Sequence, residues 1–230
     1  SGLRAVKGEV PVDLSYSVRL DGDAVRFRAR LTNRGPYPVS EFWFPRIGGW
    51  TGFGGRTAKL ARPNYTSCRH EVALFERFPS ERGFGAEAAE YTADYPGMVM
   101  PWWELYDEAS KTGLYLGYHD RTFRYSTWHA FLHPDVTGLP DVNWLTPEEA
   151  AGAPIGIVFS HVRYPFIASG ETYETGEFIL RAHEGDWHQG SLFYREWFLK
   201  NFPVDKSRSW LRKQSAWFSS IVYQPEDRIV

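Results

Sequence analysis

The stretch over residues 16–31 constrains this chain more than any other. Tyr16, Val18 and Leu20 alternate with polar residues, Asp21-Gly22-Asp23 interrupts, and Val25, Phe27, Ala29 and Leu31 then alternate with Arg26, Arg28 and Arg30. A period of two marks a half-buried strand, because successive side chains of extended backbone point to opposite faces. The Asp-Gly pair supplies the positive φ that a tight connection between two such strands wants. The segment is predicted to be an antiparallel hairpin with its apolar set on a core face and its arginines in solvent.

The rest of the chain keeps alternating strand and turn. Asn33-Arg34-Gly35-Pro36 ends the second strand, a new strand begins at Glu41, and residues 48–55 read as a Gly-rich loop with Trp50 and Phe53 at its tip. Residues 113–119, 155–164 and 173–182 read as strands by their β-branched and aromatic content, with Ser169-Gly170 turning the last pair. Aromatic residues make up 17% of the 230 residues, with 10 Trp beside 21 Gly and 15 Pro, which suits many short strands, many turns and aromatic-lined surfaces and excludes disorder. Only near the end does the period become helical. Asp186 can cap a helix with Gln189 three residues on, and Trp187, Tyr194, Trp197, Phe198 and Phe202 recur at helical spacing until Pro203. The expected organisation is a large antiparallel β-sandwich over 1–185, a closing helix over 186–203, and over 204–230 a connector toward a domain beyond the chain.

Charge and hydropathy exclude some partners. A net charge of −2 leaves no electrostatic footprint for nucleic acid, and no apolar run approaches the roughly 20 residues that a membrane-spanning helix needs. A single cysteine, Cys68, forbids an internal disulfide and leaves the compartment open; the expectation is secreted or periplasmic ahead of cytoplasmic.

The densest chemistry lies between Tyr95 and Asp107, where two prolines and a glycine are expected to hold a loop that displays Tyr95, Trp102, Trp103 and Tyr106 beside Glu104 and Asp107. Pyranose C–H faces stack on such rings while carboxylates meet the hydroxyls, so the segment suits a sugar; the alternative is that the aromatics pack between sheet and loop. His119-Asp120 closes an apolar strand, where an imidazole beside a carboxylate could do acid and base work, although neighbours on a strand point apart. His129 and His133 have metal-ligand spacing, but Ala130 stands where a zincin carries its Glu and Pro134 breaks any helix, so no metal is assigned. Glu104, Asp107, Glu108, Asp120 and Asp141 are the carboxylates from which a hydrolytic pair would have to be drawn. The Gly-rich loop lacks the Lys-Ser or Lys-Thr of a phosphate-cradling loop.

Several of these segments together resemble a known family. Tyr95-Pro96-Gly97, Met100-Pro101-Trp102, Leu105-Tyr106-Asp107, the strand from Gly113, and Gly185-Asp186-Trp187-His188 followed by Tyr194-Arg195-Glu196-Trp197 occur in that order. They resemble the N-terminal β-sandwich of a family of predicted bacterial glycoside hydrolases, a domain of unknown function that precedes a TIM barrel. The resemblance implies a supersandwich, galactose mutarotase-like, whose Gly-Asp-Trp-His element opens a helix leading out, with Ser209-Trp210-Leu211 introducing the barrel's first strand. Related α-galactosidase-like and endo-α-N-acetylgalactosaminidase-like architectures imply that sandwich loops wall the sugar pocket while the barrel supplies the acid and the nucleophile.

On this resemblance the chain is expected to be a non-catalytic scaffold domain. Tyr95, Trp102, Trp103, Glu104, His119 and Asp120 are expected to touch carbohydrate. The partners implied are carbohydrate and the barrel of the same polypeptide, with no cofactor, no nucleic acid and no membrane. Two other readings stand beside it. In one the sandwich is itself a mutarotase-like enzyme, in which His119 or His161 protonates the ring oxygen and Glu177 takes the anomeric proton. In the other its aromatics bind a protein partner through one exposed apolar patch without convergent polar groups.

Overall fold

The computed structural model of the protein describes residues 4–5, 8–9, 11–50, 58–64, 68–72, 90–133 and 156–203. The described residues form an all-β sandwich closed by one helix, as the sequence predicts. A short ladder of β1 (Arg4–Ala5) and β2 (Gly8–Glu9) precedes the hairpin of β3 (Val12–Asp21) and β4 (Ala24–Asn33). Asp21 pairs with Ala24, so Gly22-Asp23 makes the turn, with Gly22 at φ 62°.

There follow β5 (Phe42–Trp50), β6 (Lys59–Asn64), β7 (Cys68–Val72), β8 (Glu90–Tyr95), β9 (Trp102–Asp107) and β10 (Thr112–His119). The last strands are β11 (Ser126–His133), β12 (Gly156–Arg163), β13 (Thr172–Glu174) and β14 (Glu177–Glu184), after which α1 (Trp187–Asn201) ends the described chain. One sheet has eight strands in the order β13-β4-β14-β10-β9-β6-β7, with β3 on β4; the other has four, β5-β12-β11-β8, and every pairing is antiparallel.

The core lies between the sheets. Trp103 packs against Tyr91, Trp128 and Phe159, and Leu105, Leu116, Tyr118, Ile157 and Phe178 complete the cluster. A second apolar layer covers the outer face of the large sheet, where Trp102, Tyr115 and Ile179 meet Tyr194, Phe193 and Trp197 of α1. β9 is consequently buried on both faces, which is why Trp102, Trp103, Leu105 and Tyr106 follow one another without a period of two. Asp186 caps α1 by accepting the N–H of His188 at 3.0 Å.

Four expectations are corrected. Residues 102–107 form a buried strand rather than a displayed loop, and only 96–101 connect β8 to it. Trp50 ends β5 and packs edge-on against Phe159 at 5.5 Å instead of standing at a loop tip, because its strand lies against the core. The strand expected over 173–182 is two, β13 and β14, broken at Thr175-Gly176; there Tyr118 Oη accepts the Gly176 N–H at 2.7 Å, and a Cβ on Gly176 would sit 2.8 Å from the His119 carbonyl oxygen. Finally, Tyr16, Val18 and Leu20 are 68%, 55% and 74% exposed, since the eight-stranded sheet is wider than its four-stranded partner and β3 overhangs. The Gly-rich loop beyond Trp50, Asp141 and the connector over 204–230 lie outside the described residues.

Candidate functional site

The outer face of the large sheet carries a cleft beside α1. Sheet register builds its floor: β10 and β14 place His119 directly across from Glu177, and β14 and β4 place Ile179 across from Arg26. The helix supplies the other wall with Trp197, Glu196 and Lys200. The cleft encloses about 520 Å³, with Asp21, Asp23 and Arg181 at its mouth, within the roughly 300–1,000 Å³ usual for small-molecule sites.

Its electrostatics form a linked network. Glu177 accepts from Arg26 Nη1 at 2.5 Å and from Arg28 Nε at 3.1 Å, while Arg26 Nε reaches Asp21 at 2.8 Å. Arg181 pairs with Asp23 at 3.0 Å and lies over the Phe193 ring at 3.9 Å. Of the β4 arginines predicted to point into bulk solvent, Arg28 and Arg30 do so, whereas Arg26 is half-buried and lines the cleft floor. His119 stacks on Trp197 with ring centroids 4.6 Å apart, and its Nε2 shares a 3.0 Å hydrogen bond with Tyr115 Oη. Burial, and after it the Arg26 charge, push the His119 imidazolium down to about 3, so at neutral pH the ring is uncharged.

The other residues expected to touch sugar lie elsewhere. Trp103 is 1% exposed in the core, and Trp102 is 3% exposed beneath α1, so protein occupies the ring faces of both. Glu104 is completely buried below the first turns of α1, its Oε1 2.5 Å from His183 Nε2. Two glycines make room for this pair: a Cβ on Gly113 would collide with His183 and Glu104, and one on Gly190 would collide with Glu104 Oε2. Burial raises the Glu104 carboxyl to about 7, with His183 opposing. For His183 burial acts downward, but the bond to Glu104 and its charge outweigh it and the pKa rises.

Asp120 accepts from Arg163 Nη2 at 3.0 Å and from the Thr122 backbone at 2.9 Å. His119 and Asp120 therefore do different work, one in the cleft and one at the end of the sandwich. Tyr95 closes β8 beside a separate apolar groove of about 610 Å³ that it shares with Val99, Met100, Phe123, Phe198 and Leu199.

Of the groups named for a mutarotase-like reaction, register brings together His119 and Glu177 but not His161. His161 sits in the core 4.2 Å from Tyr118, and burial holds it well below the usual imidazole range. Asp107 accepts the Ser110 N–H at 2.7 Å, and Glu108 pairs with Lys59 at 3.0 Å. Among the described residues no group of three or more His, Cys, Asp or Glu is placed to hold a metal, and no helix is long and apolar enough to cross a membrane. The sequence places Trp197 only by its helical spacing and Arg26 in solvent, and it gives no sign of Arg181 or Lys200. The Arg26, Arg28, Arg30 alternation was the available signal, and it becomes informative only once β14 is known to lie beside β4.

No protein-family model matches the chain, and no curated protein matches it. Solved structures are similar at low identity. The Slr1438 protein from Synechocystis aligns at 12% identity and a TM-score of 0.40 over 75% of this chain and 55% of that one. A GH36 alpha-galactosidase, AgaB from Geobacillus stearothermophilus, aligns at 10% identity and 0.44 over 82% of this chain and 24% of that one. A TPR-domain containing protein from Parabacteroides distasonis aligns at 12% and 0.42 over 95% and 34%. The chain thus spans about half the length of the first and about a quarter of the alpha-galactosidase.

Proposed function

We propose that this chain is the accessory β-sandwich of a carbohydrate-active hydrolase, and that it holds a sugar in the cleft beside α1 without cleaving it. In this reading the sandwich covers 1–185, α1 closes it, and 204–230 leads to a catalytic barrel whose pocket it helps to wall. One observation carries the non-catalytic part: the described carboxylates singled out by the sequence are already engaged or sealed. Glu104 is sealed against His183, Asp120 is tied to Arg163, Asp107 caps a turn, Glu108 pairs with Lys59, and both Glu177 oxygens are held by arginines. A general base needs a free lone pair near the proton it takes. What the cleft leaves open is an aromatic wall at Trp197 beside charged donors and acceptors, the chemistry that receives a polyhydroxylated ring.

Methyl galactosides, glucosides and N-acetylgalactosaminides titrated into the chain should move the NMR signals of the Trp197 indole and the His119 ring in a saturable way. Trp197→Phe should weaken the response. No movement with any of the three would leave only the scaffold role.

The placement of His119 opposite Glu177 favours one second reading, a mutarotase-like reaction in which the His119 imidazolium protonates the ring oxygen and Glu177 takes the anomeric proton, which needs the bound sugar to raise the His119 imidazolium from about 3. It requires Glu177 to leave one of its arginines. Its test is the relaxation of optical rotation of fresh α-D-galactose, which should outpace buffer and be lost in Glu177→Gln; a rate equal to buffer ends it.

A further inference from the structure

β3 is the outermost strand of the larger sheet. All 10 of its residues pair with β4, and among the described residues no strand pairs with its other edge. Long edges of this kind are usually protected by proline, a bulge or brevity, because unpaired N–H and C=O groups recruit another strand. Residues 12–21 contain no proline, and their register with β4 runs without a bulge. One face of the strand also exposes Tyr16, Val18 and Leu20. The opposite face sets Arg19 directly across from Arg26, a like-charged pair, and among the described residues Arg19 has no ion-pair partner.

We propose that the free edge of β3 pairs with β3 of a second copy of this chain, antiparallel, about a two-fold axis at Tyr16. The charges select this register. With Tyr16 facing Tyr16, Leu14 faces Val18, Ser15 faces Ser17, and Asp13 faces Arg19, each pair occurring twice by symmetry. The unpartnered Arg19 then receives a carboxylate, and the exposed apolar residues of both copies merge into one stripe. Asp13 is free to be shared, since its bond to Arg34, at 2.7 Å, joins two exposed side chains. Centring the pair on Ser17 would instead set Asp13 against Asp21 twice, and centring it on Ser15 would leave Arg19 facing Pro11. A slip of one residue would put apolar residues of one copy on the polar face of the other. Of the registers centred on Ser15, Tyr16 and Ser17, the Tyr16 register alone gives Arg19 a carboxylate, and the Asp21 end of β3 borders the cleft.

Sedimentation equilibrium over a concentration series tests the proposal. The chain should dimerise, and Asp13→Arg or Arg19→Asp alone should each weaken association by about tenfold or more, because two favourable pairs become two repulsive ones. The double variant should dimerise like the parent, and an equimolar mixture of the two single variants should form a mixed dimer. Tyr16→Ser should weaken association without a change of charge, with far-UV circular dichroism showing each variant folded. A chain that stays monomeric at every concentration overturns the proposal, as does a dimer indifferent to both single changes or a loss that the double variant does not restore.

Discussion

Glu104 and His183 show how single residues shape this molecule. A carboxyl below a helix is tolerated because an imidazole meets it at 2.5 Å and because Gly113 and Gly190 leave space for both side chains. Gly190→Ala should therefore destabilise the chain by about 1–3 kcal/mol in urea unfolding, the usual cost of overpacking, despite alanine's better helix propensity. The pair also titrates. The folded carboxyl, at about 7, lies above its ordinary value of 4.5, so the folded state binds the proton more tightly than the unfolded chain. Its contribution is full below pH 4.5 and is lost as pH rises toward 7; His183, also raised, adds a loss in the same direction. Glu104→Gln should flatten this dependence: between pH 5 and 8 the parent should lose on the order of 2 kcal/mol more stability than the variant, as read by urea midpoints.

At the scale of elements, α1 matters most, since it roofs the outer face of the large sheet and forms one wall of the cleft. Its start is fixed by the Asp186 side chain, which accepts the otherwise free N–H of His188. Asp186→Ala should cost about 1 kcal/mol of stability in thermal or urea unfolding. The same change removes a negative charge that holds the Glu104 carboxyl up, so the pH window of that group should shift downward. The strand alternation of the hairpin was readable from residues 16–31, but its burial was not. Val25, Phe27, Ala29 and Leu31 do turn inward, whereas Tyr16, Val18 and Leu20 point the same way but stay largely exposed, with Tyr16 reaching only Phe44 at the margin of the opposing sheet. Periodicity reports which face a side chain is on; what covers that face depends on the width of the other sheet.

At the scale of the whole molecule, the two sheets are joined by a buried ion pair as well as by their core. Asp120 follows β10 in one sheet, Arg163 ends β12 in the other, and their side chains are 11% and 4% exposed. Arg163 also donates to the Arg124 carbonyl at 2.9 Å and lies over the Tyr118 ring at 5.0 Å. Asp120→Asn leaves a buried guanidinium without its counter-charge and should cost about 3 kcal/mol. Because the pair spans both sheets, unfolding of the variant should remain a single transition with an unchanged slope on urea. A first transition confined to one sheet would show that the ion pair, rather than the shared aromatic core, couples them.

The local sequence was enough for the all-β class, the first hairpin, the strands near 113–119 and 155–164, and the capped helix, because each depends on neighbours a few residues apart. Tertiary structure alone decided the site. His119 stands across from Glu177 through the β10 and β14 register, Arg26 reaches that carboxylate from a strand some 150 positions earlier, and Trp197 arrives on a helix. The same long-range pairing buried Trp102, Trp103 and Glu104, whose composition suggested a sugar platform, and exposed Tyr16, Val18 and Leu20, whose pattern suggested core. Hydrophobic patterning acts along one element, whereas burial and convergence are set by which elements the chain brings to either side of it.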